Sequence, residues 1–289
     1  MQSPRSWMFV PGNKQRFLEK AADSAADAVL FDIEDGVIPA QKAEARRMIA
    51  DVLDRRDWAG PRRFVRLNAL NSPWIDDDLH VILRAGIDGV CLPKVESASD
   101  IVELAGALRH FEVQCELEIG STSILAAVES AAALQNLSSI ASAHARLMGI
   151  MFGTEDYALD LGLGAQRQGE AARLVHARST IVACARSAEI ASIDGVFPNL
   201  DDRDGLEADV THARELGFSG KSTFNPRQLP VINSIFSPSE SEVAYAREVV
   251  QAFEAANEAG DASVAVGGQL VDLPIVRRAQ ALLEGVDQT

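Results

Sequence analysis

Apolar residues recur along this chain in two alternating rhythms. Short apolar runs at residues 6–10, 28–33, 63–68, 89–95, 124–128, 147–152, 192–197 and 221–225 are predicted as strands. The run of Leu147, Met148, Ile150, Met151 and Phe152 is apolar at both parities, the pattern of a strand buried on both faces in a parallel sheet. Stretches of helical spacing separate the runs: 14–26, with Phe17, Leu18 and Ala21 on one side, then 40–53, a helix opened by Pro73-Trp74, and 97–109, 131–143, 171–188 and 205–216. Strand-helix alternation implies parallel strands. Eight strands of this kind close a barrel. The pattern therefore predicts an α/β fold, a (β/α)8 TIM barrel over residues 1–236.

The tail has another character. Ser237-Pro-Ser-Glu240 is read as the cap of a long helix to about residue 259, with Val243, Ala246, Val249, Val250 and Phe253 as its apolar stripe. A Gly260-Asp-Ala-Ser263 linker follows, then a hairpin-like segment at 264–270 around Gly267-Gly268, and a final helix at 274–283. Residues 237–289 exceed what a barrel needs. They are read as a C-terminal helix and lid segment, covering either the barrel's own surface or an active site, its own or a neighbour's.

Composition narrows the function. The chain has 289 residues, 47% of them hydrophobic, enough for a large core, and its net charge of −15 argues against nucleic acid as a partner. No apolar stretch is long enough to span a bilayer. Cys91, Cys115 and Cys184 lack metal or redox spacing and read as reduced core thiols. A strand entered by Trp7 leaves no room for a signal peptide, so a cytoplasmic location is expected.

Charged residues cluster where strands end. Asp32-Ile-Glu34-Asp35 closes one strand, Arg66 another, Lys94 a third, Glu129 a fourth, and Glu155-Asp156 follow the break at Gly153. In a barrel these share the C-terminal rim, where such folds keep their chemistry. Two carboxylates there, Glu129 and Asp156, suit Mg2+, a hard cation with oxygen ligands and retained waters. Acids at strand ends also serve as solvated loop residues or helix caps. Arg66 has two readings: its planar fork grips a ligand carboxylate, or it bridges to Glu34 or Asp35. No GxSxG, GxxxxGK[ST] or strand-following GxGxxG motif is present, which weighs against serine hydrolase, P-loop and dinucleotide readings.

Taken in order, Arg5-Ser-Trp-Met-Phe-Val-Pro-Gly12, Phe31-Asp-Ile-Glu-Asp-Gly-Val37, Lys42 with Ala45-Arg46, Arg66-Leu-Asn68, Leu92-Pro-Lys-Val-Glu96, Glu129-Ser130, Phe152-Gly-Thr-Glu-Asp156 and Gly220-Lys221 resemble the citrate lyase beta-subunit family. That family falls within the HpcH/HpaI group of Mg2+-dependent acyl-CoA lyases and aldolases. The resemblance implies a β/α barrel with a C-terminal extension, often a homotrimer. It implies Mg2+ at Glu129 and Asp156, and Arg66 on a substrate carboxylate or carbonyl oxygen. Val271-Asp272-Leu-Pro274 resembles the family's C-terminal motif, whose Asp serves an adjacent subunit as acid or base, so Asp272 is the catalytic candidate there. The chain departs from the family pattern at Ser130 (for Thr), at Phe224-Asn225-Pro226 (for Ile-His-Pro) and at Gly36 (for Ala), which implies a stand-alone member with its own substrate.

The expected activity is cleavage or formation of a citryl-, malyl- or citramalyl-type CoA thioester, giving a 2-oxo acid and an acyl-CoA. Glu34, Asp35, Lys94 and Arg66 are the substrate-binding candidates, and Arg16, Lys20 and Lys42 the candidates for CoA. A pyruvate-type aldolase using the same metal on a free hydroxy-oxo acid is one alternative. A non-catalytic or carrier-protein-dependent subunit of a lyase complex is another.

Overall fold

The computed structural model describes residues 3–55, 58, 60–164 and 174–287. They form two units, one of Ser3–Phe236 and one that begins at Ser237. In the first, β1 (Ser6–Pro11), β2 (Ala28–Asp32), β3 (Arg62–Arg66), β4 (Gly89–Leu92), β5 (Ser123–Val128), β6 (Leu147–Phe152), β7 (Ala191–Asp194) and β8 (Gly220–Thr223) pair in chain order. Every pair is parallel, and β8 pairs with β1 to close the barrel. The expected (β/α)8 barrel is what the chain forms.

Strand residues alternate between two cores. Trp7, Phe9, Leu30, Phe64, Cys91, Leu125, Ala127, Met151 and Ile193 fill the barrel interior. Their neighbours Met8, Val29, Phe31, Val65, Val90, Ile124, Ala126 and Ile150 pack outward under the helices. This is why both parities of each strand are apolar. Trp7 packs against Phe64 with the rings tilted by 60° and 4.8 Å between their centroids. Continuing the inward parity, Leu30 leads to Asp32, Phe64 to Arg66, and Ala127 to Glu129. Fully burying a large apolar side chain contributes roughly 1.5–3 kcal/mol, whereas desolvating an ion costs several kcal/mol. The apolar floor thus offsets a mouth that holds buried charge.

Around the strands lie α1 (Gln15–Ala21), α2 (Lys42–Arg55), α3 (Ile75–Ile82), α4 (Ala98–Gln114), α5 (Ala131–Gln135), α6 (Leu137–Ala141), α7 (Thr154–Asp160), α8 (Val175–Ser187), α9 (Arg203–Leu216) and α10 (Leu229–Phe236). Several differ from the sequence expectation. The helix expected at 14–26 ends at Ala21. The stretch 131–143 is two short helices that part at Asn136, whose side-chain amide donates to the Glu96 carbonyl (2.8 Å). Residues 171–173 of the helix expected at 171–188 lie outside the described residues. Two helices, α7 and α10, were not anticipated.

The second unit has its own small core. α11 (Glu240–Glu258) packs Ala246, Val249 and Phe253 with Val266 and Val271 of the β9 (Val264–Val266) and β10 (Gln269–Val271) hairpin, and with Val276 and Ala279 of α12 (Leu273–Asp287). The cap of α11 is Ser239, whose side chain accepts from the Glu242 N–H (3.2 Å) while Glu242 reaches back to the Ser239 N–H (2.7 Å). Among the described residues no helix is long and apolar enough to cross a membrane.

Candidate active site

At the C-terminal mouth of the barrel, Arg66, Glu129, Thr154, Glu155 and Asp156 line one cavity with Phe9, Cys91, Ala127, Met151, Val196 and Phe224. Arg66 ends β3 and points inward. Its guanidinium forks onto Asp32 of β2, Nε to Oδ1 at 2.9 Å and Nη2 to Oδ2 at 2.8 Å. The two residues are register partners across the β2–β3 pair. Nη1 lies 3.5 Å from Glu34, and the guanidinium carbon sits 5.1 Å over the Phe9 ring. Burial works against the cation, but Asp32 and Glu34 outweigh it and hold Arg66 charged above the ordinary guanidinium range. The expected bridge to Glu34 is present, Asp32 adds a closer one that was not expected, and Asp35 pairs with Lys94 instead. One edge of the fork is engaged by Asp32, so a ligand oxygen must meet the Nη1–Nη2 edge.

Asp32 also accepts the N–H groups of Glu34 (2.9 Å) and Gly36 (3.0 Å), so one buried carboxylate organises both the β2 loop and the arginine. Strand parity places Asp32 inward with Leu30, but Glu34 shares that parity, so the register opposite Arg66 is what singles Asp32 out.

Lys94 follows β4 with φ of +54°, uncommon outside glycine. That turn aims its N–H at Glu129 Oε1 (2.5 Å) and its ammonium at Glu34 Oε1 (2.7 Å), with Asp35 at 3.4 Å. Burial opposes its charge, and the hydrogen bond and charge of Glu34, with Asp35, overcome this and raise it. Lys94 therefore connects the β2 acids to Glu129. A groove of about 700 Å3 opens beside it, lined by Leu70, Asn71, Pro93, Glu96, Asp100 and Asn136 among others.

Glu129 directly follows β5 and is buried. Burial pushes its carboxyl up to about 7. The Lys94 N–H opposes that shift, and the charge of Asp156 adds to it. Gly153 permits the arrangement: a Cβ there would stand 2.6 Å from both Cβ and Oε2 of Glu129. Asp156 lies in the first turn of α7, not in an irregular loop, where the helix dipole favours an acid. Thr154 Oγ1, beside them, is buried without a hydrogen-bond partner.

Other candidates are placed elsewhere. Lys42 is buried, its ammonium donating to the Ile33 (3.0 Å) and Glu34 (2.9 Å) carbonyls and lying over the Trp74 ring. This corrects its assignment to CoA: α2 packs it into the wall behind the β2 loop. Arg16 and Lys20 are exposed on α1 and do not line the cavity. Asn68 and Asn225, also at strand ends, are structural: Asn68 donates to Asp78, and Asn225 Oδ1 accepts from the Arg227 N–H. Asp272 caps α12, its Oδ1 accepting weakly from the Ile275 N–H (3.4 Å). Of the three thiols, Cys91 is buried as expected, while Cys115 and Cys184 are half-buried.

The donor set of the mouth suits a divalent cation. It pairs a buried and a half-buried carboxylate around an orphaned hydroxyl, and like charges held together are relieved by a cation. Among the described residues no cluster of three or more His, Cys, Asp or Glu converges; Glu129 and Asp156 are the pair that could hold such an ion, with the exposed Glu155 also on the cavity wall.

A (β/α)8 barrel with a carboxylate pair and a clamped arginine at its C-terminal mouth defines a barrel enzyme with its active site at that face. The chain belongs to the HpcH/HpaI aldolase/citrate lyase family, whose model matches residues 5–226, and it is a lyase. It is 37% identical over 280 residues to the citrate lyase subunit beta of Leuconostoc mesenteroides subsp. cremoris, covering 97% of this chain and 92% of that one. It is 34% identical over 279 residues to a (3S)-malyl-CoA thioesterase of Cereibacter sphaeroides, covering 96% and 93%. Among solved structures, the protein CitE of Mycobacterium tuberculosis, in complex with magnesium, acetoacetate and coenzyme A, superposes with a TM-score of 0.79. It is 31% identical, with 97% of each chain covered.

Proposed function

We propose that this chain is a Mg2+-dependent lyase acting on a β-hydroxyacyl-CoA of the citryl, malyl or citramalyl type. The observation that carries the reading is one cavity lined by Glu129, Asp156 and the clamped Arg66. The magnesium and coenzyme A in the CitE complex, and the thioester named for the Cereibacter relative, support it. Glu129 and Asp156 would hold the ion, which would supply Lewis-acid polarisation of the carbinol or keto oxygen. Arg66 presents its Nη1–Nη2 edge to the substrate's carboxylate or carbonyl oxygen, and Asp32 keeps that edge from turning away. In the cleavage direction a carboxylate takes the carbinol O–H proton and becomes the carboxylic acid. The bond to the thioester α-carbon breaks, and its electron pair passes into the thioester enolate. A carboxylic acid then returns a proton to that α-carbon. Asp272, contributed by a neighbouring copy, is the residue we assign to this proton. The β2 acids and Lys94 order the mouth, and exposed Arg16 and Lys20 remain the basic candidates for the CoA phosphates.

The test follows 2-oxo acid and free CoA separately with each thioester. Release of a 2-oxo acid with an acyl-CoA, abolished by excess EDTA and by Glu129→Gln or Asp156→Asn, is the expected result. Free CoA without a 2-oxo acid would make the chain a thioesterase, and full turnover in EDTA would overturn the metal assignment.

A further inference from the structure

The cavity has an apolar side that the chemistry above leaves unused. Phe224 follows β8, and its ring lies 4.8 Å from that of Phe9, tilted by 34°. Phe9 in turn carries the Arg66 guanidinium on its face, so Phe224, Phe9 and Arg66 form a tier across the barrel seam. Phe224 is 57% exposed, although a residue of this size gains by burial. Its backbone is pinned: the Asn225 N–H donates to Thr223 Oγ1 (3.0 Å), and that hydroxyl donates to Gln228 Oε1. Val196, Met151 and Ala127 extend the same wall.

Charge divides the cavity in the same way. Arg66 is the one cation among its described lining residues, and the other charged groups there are the acids Glu129, Glu155 and Asp156. One substrate carboxylate has a counter-charge. With Glu129 and Asp156 taken up by the ion, a second would meet the aromatic face of Phe224 with no side-chain counter-charge, and an unpaired carboxylate taken from water is costly.

Resting on the lyase reading, the geometry points to Phe224 as a specificity-determining residue that selects substrates whose carbinol carbon bears hydrogen or a small alkyl group over those bearing a carboxymethyl group. The 2-oxo acid released is then a monocarboxylate.

Three thioesters with the same CoA arm, carrying hydrogen, methyl or carboxymethyl at the carbinol carbon, test this with the full chain and Mg2+. The hydrogen or methyl substrate should have a kcat/KM at least about tenfold above that of the carboxymethyl one, a typical discrimination for one pocket contact. Phe224→Ala should shrink the ratio about tenfold, and Phe224→Leu, which keeps apolar bulk, should largely preserve it. A wild-type preference for carboxymethyl, or a ratio unmoved by Phe224→Ala, overturns the assignment. If none of the three is cleaved, the lyase reading fails, and Phe224 is judged by calorimetric titration of 2-oxobutyrate against oxaloacetate with Mg2+. Tighter 2-oxobutyrate binding that Phe224→Ala erases supports the assignment, and any other order refutes it.

Discussion

Replacing Asp32 by Asn tests whether Arg66 is held in place by Asp32. The side chains are nearly isosteric, so the change removes a charge without opening a void. Asp32 accepts from Nε and Nη2 of Arg66 at 2.9 and 2.8 Å, and from the N–H groups of Glu34 and Gly36 at 2.9 and 3.0 Å. Asn has one acceptor oxygen and sets an NH2 against the remaining donors. Hydrogen bonds to charged groups contribute about 1.5–3 kcal/mol each, and removing one partner of a buried pair costs about 3–5 kcal/mol. Glu34, 3.5 Å from Nη1, keeps part of the compensation. We therefore expect Asp32→Asn to lose about 3 kcal/mol of stability and roughly tenfold or more in kcat/KM as the guanidinium loses its aim. Arg66→Met should also destabilise, since it leaves Asp32 buried and unpaired. The double variant removes both charges, so it should be more stable than the two single effects predict, by about 2 kcal/mol. Urea unfolding of the four proteins, by circular dichroism, measures this coupling. Additivity within about 0.5 kcal/mol would mean that the residues act independently, and the positioning role of Asp32 would be lost.

Gly153→Ala places a methyl 2.6 Å from the Cβ and Oε2 of Glu129. We expect a loss of about 10- to 100-fold in affinity for Mn2+ as a Mg2+ substitute, the size typical of disturbed ligand positioning; unchanged affinity in calorimetric titration would refute it. Away from the mouth, Arg146 forks onto the buried Glu112 (2.6 and 2.7 Å), and Gly120 and Thr122 add their N–H groups. Burial alone would raise this carboxyl, but these partners lower it from the usual 4.5 to about 2. A depressed pKa contributes stability above the unfolded value that is lost as pH falls toward the folded one, here about 3 kcal/mol between pH 4.5 and 2. The gap in urea midpoint between wild type and Glu112→Gln should narrow over that window, and a constant gap would contradict it. Asp272→Asn keeps a good helix cap but cannot transfer a proton, so a stable, oligomeric protein with a rate reduced by about 10²–10⁴ is expected. Mixing it with Arg66→Ala chains should restore part of the activity; mixed oligomers confirmed by mass spectrometry with no activity would refute the shared site.

The barrel was legible along the chain, because both-parity apolar runs alternating with helical periods imply a parallel sheet covered on both faces, and eight such runs suffice to close it. The sequence also placed Arg66, Lys94, Glu129 and Asp156 at one mouth. Parallel strands put all their C-terminal ends on one side, so position along the chain becomes position in space. What remained hidden depended on contacts between elements. Asp32 could not be chosen over Glu34 and Asp35 until the β2–β3 register set it opposite Arg66. Lys42 read as a candidate for CoA until α2 packed its ammonium against the Ile33 and Glu34 carbonyls. Phe224 met Phe9 only when β8 closed onto β1. Local periodicity encodes which face a residue takes. Barrel closure and register decide which residue it meets there, and those are properties of the assembled sheet.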